Sequence, residues 1–445
     1  MSALVRVENL TIALPRGADR PYAVEGVSLE LYPGEILCVV GESGSGKSMT
    51  ASALMGLLAP NLRVVSGRAM LGERDILTLK EDELRRLRGP EMGMIFQEPM
   101  TALNPLRVAG DQIAETFRTH TDMPEAEVQA RVLALLEEVG IPDPPSAYRA
   151  YPHELSGGQR QRVMIAMALA LEPKVLIADE PTTALDVTIQ AQILELIRSL
   201  QRRHGTAVLF ISHDFGVVAE IADRIVVMQH GRVVEQGPAA EVLERPQAEY
   251  TKALIAAVPS LVPPEPRDLP GEPIAVVRDL SKTYRTGGGW FGRRKRVVHA
   301  VKDVALSVPR GGTLGIVGES GSGKSTLARC IVRLLDPDQG TIDLDGVDFG
   351  SFSGETLRRN RHLVQMVFQD PYGSLNPRRT AGDLVAQGLV ARGVPRKIAL
   401  QKARDLFSLV GLDPASTDRL PHEFSGGQRQ RIGLARALAL EPKIL

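Results

Sequence analysis

The sequence predicts an α/β protein that builds one domain twice, each copy with a mostly parallel sheet core and a helical subdomain, the second copy incomplete. Three observations carry that prediction. Continuous apolar runs, ILCVV at 36–40, VLIAD at 175–179, AVLFIS at 207–212 and RIVVM at 224–228, suit strands buried on both faces, as in a parallel sheet. Between them the apolar residues fall at helical spacing: Val128, Val132, Leu135, Leu136 and Val139 in one stretch, Ile189, Ile193, Ile197 and Leu200 in another, the latter ending at Gly205. Third, long words recur in order.

The recurrence dates from a duplication. VVGESGSGKSMT at 39–50 returns as IVGESGSGKSTL at 316–327; MIFQEPMTALNP at 94–105 returns as MVFQDPYGSLNP at 366–377; HELSGGQRQR at 153–162 returns as HEFSGGQRQR at 422–431. The offset drifts by only eight residues, from 277 to 269, which means a repeated domain and not a solenoid of short units. Between the copies, PSLVPPEPRDLPGEP at 259–273 holds six prolines in fifteen positions, the composition of a semi-rigid extended linker. We therefore expect a first domain at 1–258, a linker at 259–273 and a second domain at 274–445. Residues between Gln97 and Ser156 read as a separate, mostly helical lobe.

Composition narrows the class. With 445 residues, 43% hydrophobic and 24% charged, the chain can bury two full cores. Its 53 basic and 53 acidic residues cancel, so no long-range field favours nucleic acid. No apolar run reaches the ~20 residues that cross a bilayer, and Glu8 and Asn9 interrupt the N-terminal stretch where a signal peptide needs apolar residues. Contact with a membrane is expected through another protein and not by direct insertion. The two cysteines, Cys38 and Cys330, read as reduced core thiols, with no CxxC and no zinc or iron–sulfur spacing.

The chemistry is concentrated in the repeated words. GESGSGKS occurs twice, each time after a predicted strand and before a predicted helix, which is the context a phosphate-binding loop requires. The first copy is Gly41, Glu42, Ser43, Gly44, Ser45, Gly46, Lys47 and Ser48; the second is Gly318, Glu319, Ser320, Gly321, Ser322, Gly323, Lys324 and Ser325. The glycines let the backbone turn its N–H groups toward phosphate oxygens, the lysine reaches the β- and γ-phosphates, and the serine hydroxyl ligates Mg²⁺. A helix N-terminus contributes only about 0.3–1 kcal/mol per charge. A micromolar to millimolar nucleotide site needs about 4–8 kcal/mol, so lysine, metal and further contacts must supply the difference.

Further motifs surround the loop. Asp179 closes an apolar strand at its C-terminal end, where α/β sheets place ligands, and is placed to hold Mg²⁺ through water. Glu180 follows, kept extended by Pro181, and can orient an attacking water. Ser156, Gly157, Gly158 and Gln159, and again Ser425, Gly426, Gly427 and Gln428, make a second serine-capped helix start able to face phosphate.

These words resemble the ATP-binding cassette (ABC) family of P-loop NTPases, over nearly the whole chain. LSGGQ at 155–159 and FSGGQ at 424–428 are similar to its signature, and VLIADEPTTALD at 175–186 to its Walker B segment and D-loop. The resemblance implies that each signature faces the loop of the opposite domain, with ATP between paired domains. It implies that Gln97 and Gln369 touch Mg²⁺ and relay to a transporter, that His213 contacts the γ-phosphate, and that Tyr284 stacks on adenine in domain two. The post-loop words ALNP and SLNP, and VLERPQAEYTKALIAAVP at 242–259, resemble importers of oligopeptides, dipeptides, nickel or glutathione. The implied activity is ATP hydrolysis driving separate permease subunits supplied by a solute-binding protein, on the cytoplasmic face of a bacterial inner membrane. The rival reading is a soluble tandem ABC ATPase acting on ribosomes or DNA. The short proline-rich linker and the absence of zinc cysteines weigh against it, and the basic run 293–296 reads as a solvated loop.

Three departures from the family pattern stand out. The position aligned with Tyr284 is Leu14, so Tyr22 or poor stacking serves adenine in domain one. Met49 replaces a usual threonine. EPKVL at 172–176 aligns with EPKIL at 441–445, so the second copy stops before counterparts of Asp179, Glu180 and His213; we expect the sequence to be a piece of a longer protein.

Overall fold

The computed structural model describes residues 2–15, 20–97, 102–182, 187–259, 262–263, 265, 267, 269, 271–286, 296–319, 321–369 and 371–445. The D-loop residues 183–186, Ser320, parts of the proline-rich 259–273 and residues 293–295 of the basic run lie outside them. The chain divides into two compact units, Met1–Val262 and Pro263–Leu445.

In the first unit, five parallel strands form the frame of the site. They are β3 (Ile36–Val40), β6 (Met92–Ile95), β7 (Val175–Asp179), β8 (Ala207–Ile211) and β9 (Arg224–Gln229), in the spatial order β9-β3-β8-β7-β6, with β10 (Arg232–Pro238) antiparallel on the outer edge of β9. A second, antiparallel sheet has the order β2-β1-β4-β5, built from β1 (Val5–Ala13), β2 (Tyr22–Leu31), β4 (Arg63–Leu71) and β5 (Arg74–Asp75).

The apolar runs are continuous because each parallel strand feeds two cores. Ile36, Cys38 and Val40 of β3 join Leu176 and Ala178 of β7 and Val208 and Phe210 of β8 in a cluster with Ile113, Phe117 and Val132 of the helical lobe. The alternate residues Leu37, Val39, Val175, Ile177, Leu209 and Ile211 pack the other way, against Leu10, Ile12 and Leu54. Period-two side-chain alternation therefore gives no polar face to read. Cys38 is wholly buried, and burial pushes its thiol far above the ordinary range. Among the described residues the lobe contains the helices Ala109–His120, Glu125–Glu138 and Pro144–Arg149.

The helix Val187–His204 buries Ile193, Leu194, Ile197 and Leu200 and ends at Gly205, which takes φ +63°. No helix among the described residues is long and apolar enough to cross a membrane.

The second unit repeats part of this plan. Its antiparallel sheet has the order β12-β11-β13-β14, from β11 (Ala275–Thr286), β12 (Arg296–Val308), β13 (Gln339–Leu344) and β14 (Val347–Asp348). Leu280, Ile342, Phe349 and Cys330 pack beneath it, and Leu384, Phe407 and Ile432 form the core of its helical lobe. The segment 313–319, which aligns with β3, forms no ladder; Leu314, Ile316 and Val317 are 41%, 43% and 92% exposed. In the first unit β3 lies between β8 and β9, whose counterparts are not among the residues of this sequence. A single parallel bridge, Val364 to Ile444, stands where β6 and β7 pair in the first unit.

Candidate functional site

The first loop leaves β3 at Gly41 and enters the helix Lys47–Leu54, for which Gly46 is the N-cap at φ +103°. Glycine at Gly41 is forced by close approach as well as by its φ of +146°: an added Cβ would sit 2.1 Å from the Met228 carbonyl oxygen. Inside the loop, Lys47 Nζ donates to the carbonyl oxygens of Gly41 at 2.7 Å and Glu42 at 2.9 Å, with Ser45 Oγ at 3.4 Å. The lysine is 5% exposed, and burial lowers its pKa against the opposing pull of Glu180, Asp179 and Glu42. The second loop repeats the arrangement: Lys324 Nζ lies 2.6 Å from both the Gly318 and Glu319 oxygens and 3.4 Å from Ser322 Oγ, and Gly323 caps the helix Lys324–Ile331 at φ +96°. Ser43, Gly44, Ser325 and Gly321 are exposed on these loops.

The parallel sheet brings the remaining predicted residues to the first loop. Ser48 Oγ donates to Asp179 Oδ1 at 2.9 Å, joining the start of the loop helix to the end of β7. Burial raises the Asp179 pKa, and the Ser48 hydrogen bond partly offsets it. Glu180 is not extended, as the following Pro181 suggested, but turns into the left-handed region at φ +47°, rare for a residue with a side chain, where its N–H donates to the Ile211 carbonyl of β8 at 3.0 Å. On its carboxylate, Oε2 accepts from Gln97 Nε2 at 2.9 Å and lies 3.2 Å from His213 Nδ1. That hydrogen bond raises the His213 pKa above its ordinary value, against desolvation. Gln97 follows β6 and His213 follows β8, so one carboxylate joins three strand ends.

The oxygen donors Ser48, Asp179 and Gln97 fit Mg²⁺ in the manner of P-loop proteins. That metal takes few protein ligands and completes its octahedron with phosphate and water. Gln97 spends its amide N–H on Glu180, which leaves its carbonyl oxygen for such a role.

The signature segment forms a capping box. Ser156 Oγ accepts the Gln159 N–H at 3.2 Å, and Gln159 Oε1 accepts the Ser156 N–H at 3.0 Å, opening the helix Gly157–Leu169. Ser425 and Gln428 do the same at 3.3 and 2.9 Å for the helix Gly426–Leu438, with Gly426 and Gly427 in its first turn. Both glutamines thus hold their own helix starts. Gln369 is exposed, and Tyr284 sits on β11 opposite Val298. The departures also have a place in the fold. Leu14 and Met49 pack against the core between the sheets, and Tyr22 opens β2 opposite Ala13.

Sequence reasoning missed three side chains that reach this site. Arg20 Nη2 donates to the Gly44 carbonyl of the loop. Gln161, 1% exposed, donates through Nε2 to the Pro181 carbonyl at 2.6 Å. The hydroxyl of Tyr250, in the helix Glu249–Ala256, accepts the Glu42 N–H at 3.1 Å. The signal for Gln161 lay inside the repeated word HELSGGQRQR, but nothing in its spacing points to Pro181.

Two phosphate loops, each followed by a signature helix, with a carboxylate pair at the end of the strand beside the first, define a tandem P-loop ATPase of the cassette type. The chain belongs to the ABC transporter family, which matches residues 24–183 and 301–445, and residues 234–295 match the oligopeptide/dipeptide transporter C-terminal region. It is an ATP-binding transport ATPase. Among curated relatives, it is 46% identical over 474 residues to the glutathione import ATP-binding protein GsiA of Escherichia coli (strain K12), covering 99% of this chain and 76% of that protein. It is 47% identical over 452 residues to the peptidoglycan transport ATP-binding protein YejF of Agrobacterium fabrum, covering 99% of this chain and 81% of that one. A solved structure of the ATP-binding cassette MJ0796 in a post-hydrolysis state is 29% identical, covers 53% of this chain and 98% of its own, and has a TM-score of 0.48. The ribosome or DNA reading finds no support among these relatives.

Proposed function

We propose that the first unit hydrolyses Mg-ATP with Glu180 orienting the attacking water, to drive import of glutathione or a short peptide. The observation that carries the reading is the single carboxylate oxygen of Glu180 held by both Gln97 and His213 at the end of the sheet. Held this way, the carboxylate has its geometry set in advance, and positioning is most of what a protein contributes to phosphoryl transfer. Lys47 and the loop N–H groups bind the phosphates, and Ser48, Asp179 and Gln97 hold Mg²⁺, which neutralises developing charge on the phosphate oxygens. His213 hydrogen-bonds the γ-phosphate region, and its contact with Glu180 lets the two respond together. The second loop, with Lys324, Ser325, Gln369 and Tyr284, binds a second nucleotide. Pairing of the domains across the two nucleotides, with each signature completing the opposite loop, belongs to the same proposal.

The solute assignment is supported by the tail segment 234–295 and by relatives named for glutathione and peptidoglycan transport. Specificity resides in permease subunits and a solute-binding protein, with this chain peripheral on the cytoplasmic face of the inner membrane. The test is uptake of labelled glutathione and of a labelled tripeptide by cells lacking this chain, complemented with wild type or Lys47→Ala. Uptake restored by wild type only supports the reading; uptake unchanged by Lys47→Ala overturns it. Co-purification with ribosomes in place of membrane subunits would return the rival reading.

A further inference from the structure

The helix Glu249–Ala256 is far from the phosphate loop in sequence, yet its Tyr250 hydroxyl reaches the loop across 208 residues, accepting the Glu42 N–H at 3.1 Å. That N–H and the Gly41 carbonyl belong to one peptide unit. The carbonyl side of the same peptide accepts from Lys47 Nζ at 2.7 Å. One peptide plane is therefore gripped on both edges, by a phenol from the tail and by the ammonium group that the loop holds for phosphate. The next carbonyl, of Glu42, also accepts from Lys47, at 2.9 Å. A shift of the 41–42 peptide moves both acceptors of the ammonium group together.

The tyrosine is placed by contacts of its own. Glu235 on β10 accepts the N–H groups of Gln247 at 2.7 Å and Ala248 at 3.0 Å, tying down the two residues that precede the helix. Thr251 is wholly buried, and the Tyr250 ring packs half-buried against the core that the helical lobe shares with the sheet. Burial raises the Tyr250 pKa, so the group stays a neutral hydroxyl. The ring is fixed by packing and the hydroxyl by the loop.

We propose that Tyr250 is a positioning residue for the nucleotide. Its hydroxyl sets the plane of the 41–42 peptide and with it the seat of Lys47, so that the tail, residues 232–256, tunes ATP affinity at the first loop. The inference rests on the reading of that loop as an ATP site. Tyr250→Phe removes the hydroxyl and keeps the ring. In a Lys324→Ala background, where binding reports the first loop, the dissociation constant for a fluorescent ATP analogue should rise about three- to tenfold in Tyr250→Phe, the size of one lost hydrogen bond. With the second loop intact, the KM for ATP should rise while kcat at saturation changes less than about twofold, as for a lost binding interaction. The melting temperature without nucleotide should stay within about 2 °C of the parent, whereas Tyr250→Leu should lower it by loss of packing. An analogue affinity unchanged by Tyr250→Phe overturns the proposal. So does a loss of affinity matched by an equal loss of stability, which marks a structural tyrosine. Failure of the parent protein to bind the analogue overturns instead the reading of the loop on which the proposal stands.

Discussion

The side-chain amide of Gln161, buried in the signature helix Gly157–Leu169, donates to the backbone carbonyl of Pro181 at 2.6 Å, one residue past the Glu180 carboxylate. This hydrogen bond ties the signature helix, which also packs against β7 in the core, to the residue that follows Glu180. Glu180 already sits in the left-handed region, and such a conformation persists only where its surroundings hold it. Gln161→Leu keeps the volume and removes the donor. We expect a destabilisation of about 1–3 kcal/mol, read by urea unfolding, from loss of a buried hydrogen bond. The same variant should lose ATPase activity by more than its stability explains, because Glu180 is no longer braced. Full activity at a temperature where the variant is folded would show that Pro181 needs no brace.

Glu180→Gln tests the carboxylate directly. A glutamine carbonyl oxygen can still accept from Gln97 and His213, so the geometry survives while the charge is lost. Hydrolysis at this site should fall by about 10²–10⁴-fold, the usual contribution of a positioned base, with ATP binding retained. Single-turnover hydrolysis beside equilibrium binding separates the two. Substantial residual turnover at the first loop would remove Glu180 from its role.

Much of this site could be read in the sequence because its residues sit in short words beside strands that announce themselves. Lys47, Ser48, Asp179 and Glu180 each lie at the end of an apolar run or the start of a helix, so local pattern places them. Family resemblance assigned Gln97 to Mg²⁺ and His213 to the γ-phosphate, but their meeting on the Glu180 carboxylate was not read, since it depends on the order β8-β7-β6, and strand order is a tertiary property. Tyr250 was visible only as a word of the importer tail, and its contact with Glu42 joins elements 208 residues apart. In the second unit, GIVG reads as a buried strand by composition alone, yet forms no ladder, because a strand exists by virtue of its neighbours.

The Glu235 carboxylate should stabilise the tail at neutral pH and lose that effect in acid. Burial alone would raise the Glu235 pKa, but the Gln247 N–H and the further donors around it outweigh that effect and hold it below the ordinary carboxylate value. A depressed folded-state pKa contributes stability that is present above the unfolded value, about 4.3, and that is lost as pH falls through the lower folded value. Glu235→Gln should therefore be less stable than wild type at pH 7, with the gap closing as pH drops below about 4. Urea unfolding of both proteins at a series of pH values measures the gap. A constant difference across that range would mean that the Glu235 charge contributes nothing.

Gly41 and Gly44 both take positive φ, +146° and +83°, but for different reasons, and alanine at each should separate them. At Gly44 an added Cβ meets nothing within 4 Å, so only the backbone conformation resists it, at about 1–2 kcal/mol. At Gly41 the Cβ would lie 2.1 Å from the Met228 carbonyl oxygen and 2.9 Å from Ser45 Oγ, and Met228 lies in β9, hydrogen-bonded beside β3. The Met228 backbone cannot give way there without moving β9 against β3, and the Ser45 hydroxyl closes the other side. Gly44→Ala should fold with a modestly lower melting temperature and weakened nucleotide affinity. Gly41→Ala should lose ATP binding altogether and with it the shift in melting temperature that ATP produces in wild type. A Gly41→Ala protein that still melts later in the presence of Mg-ATP would show that β9 yields, and that the loop tolerates a displacement its packing argues against.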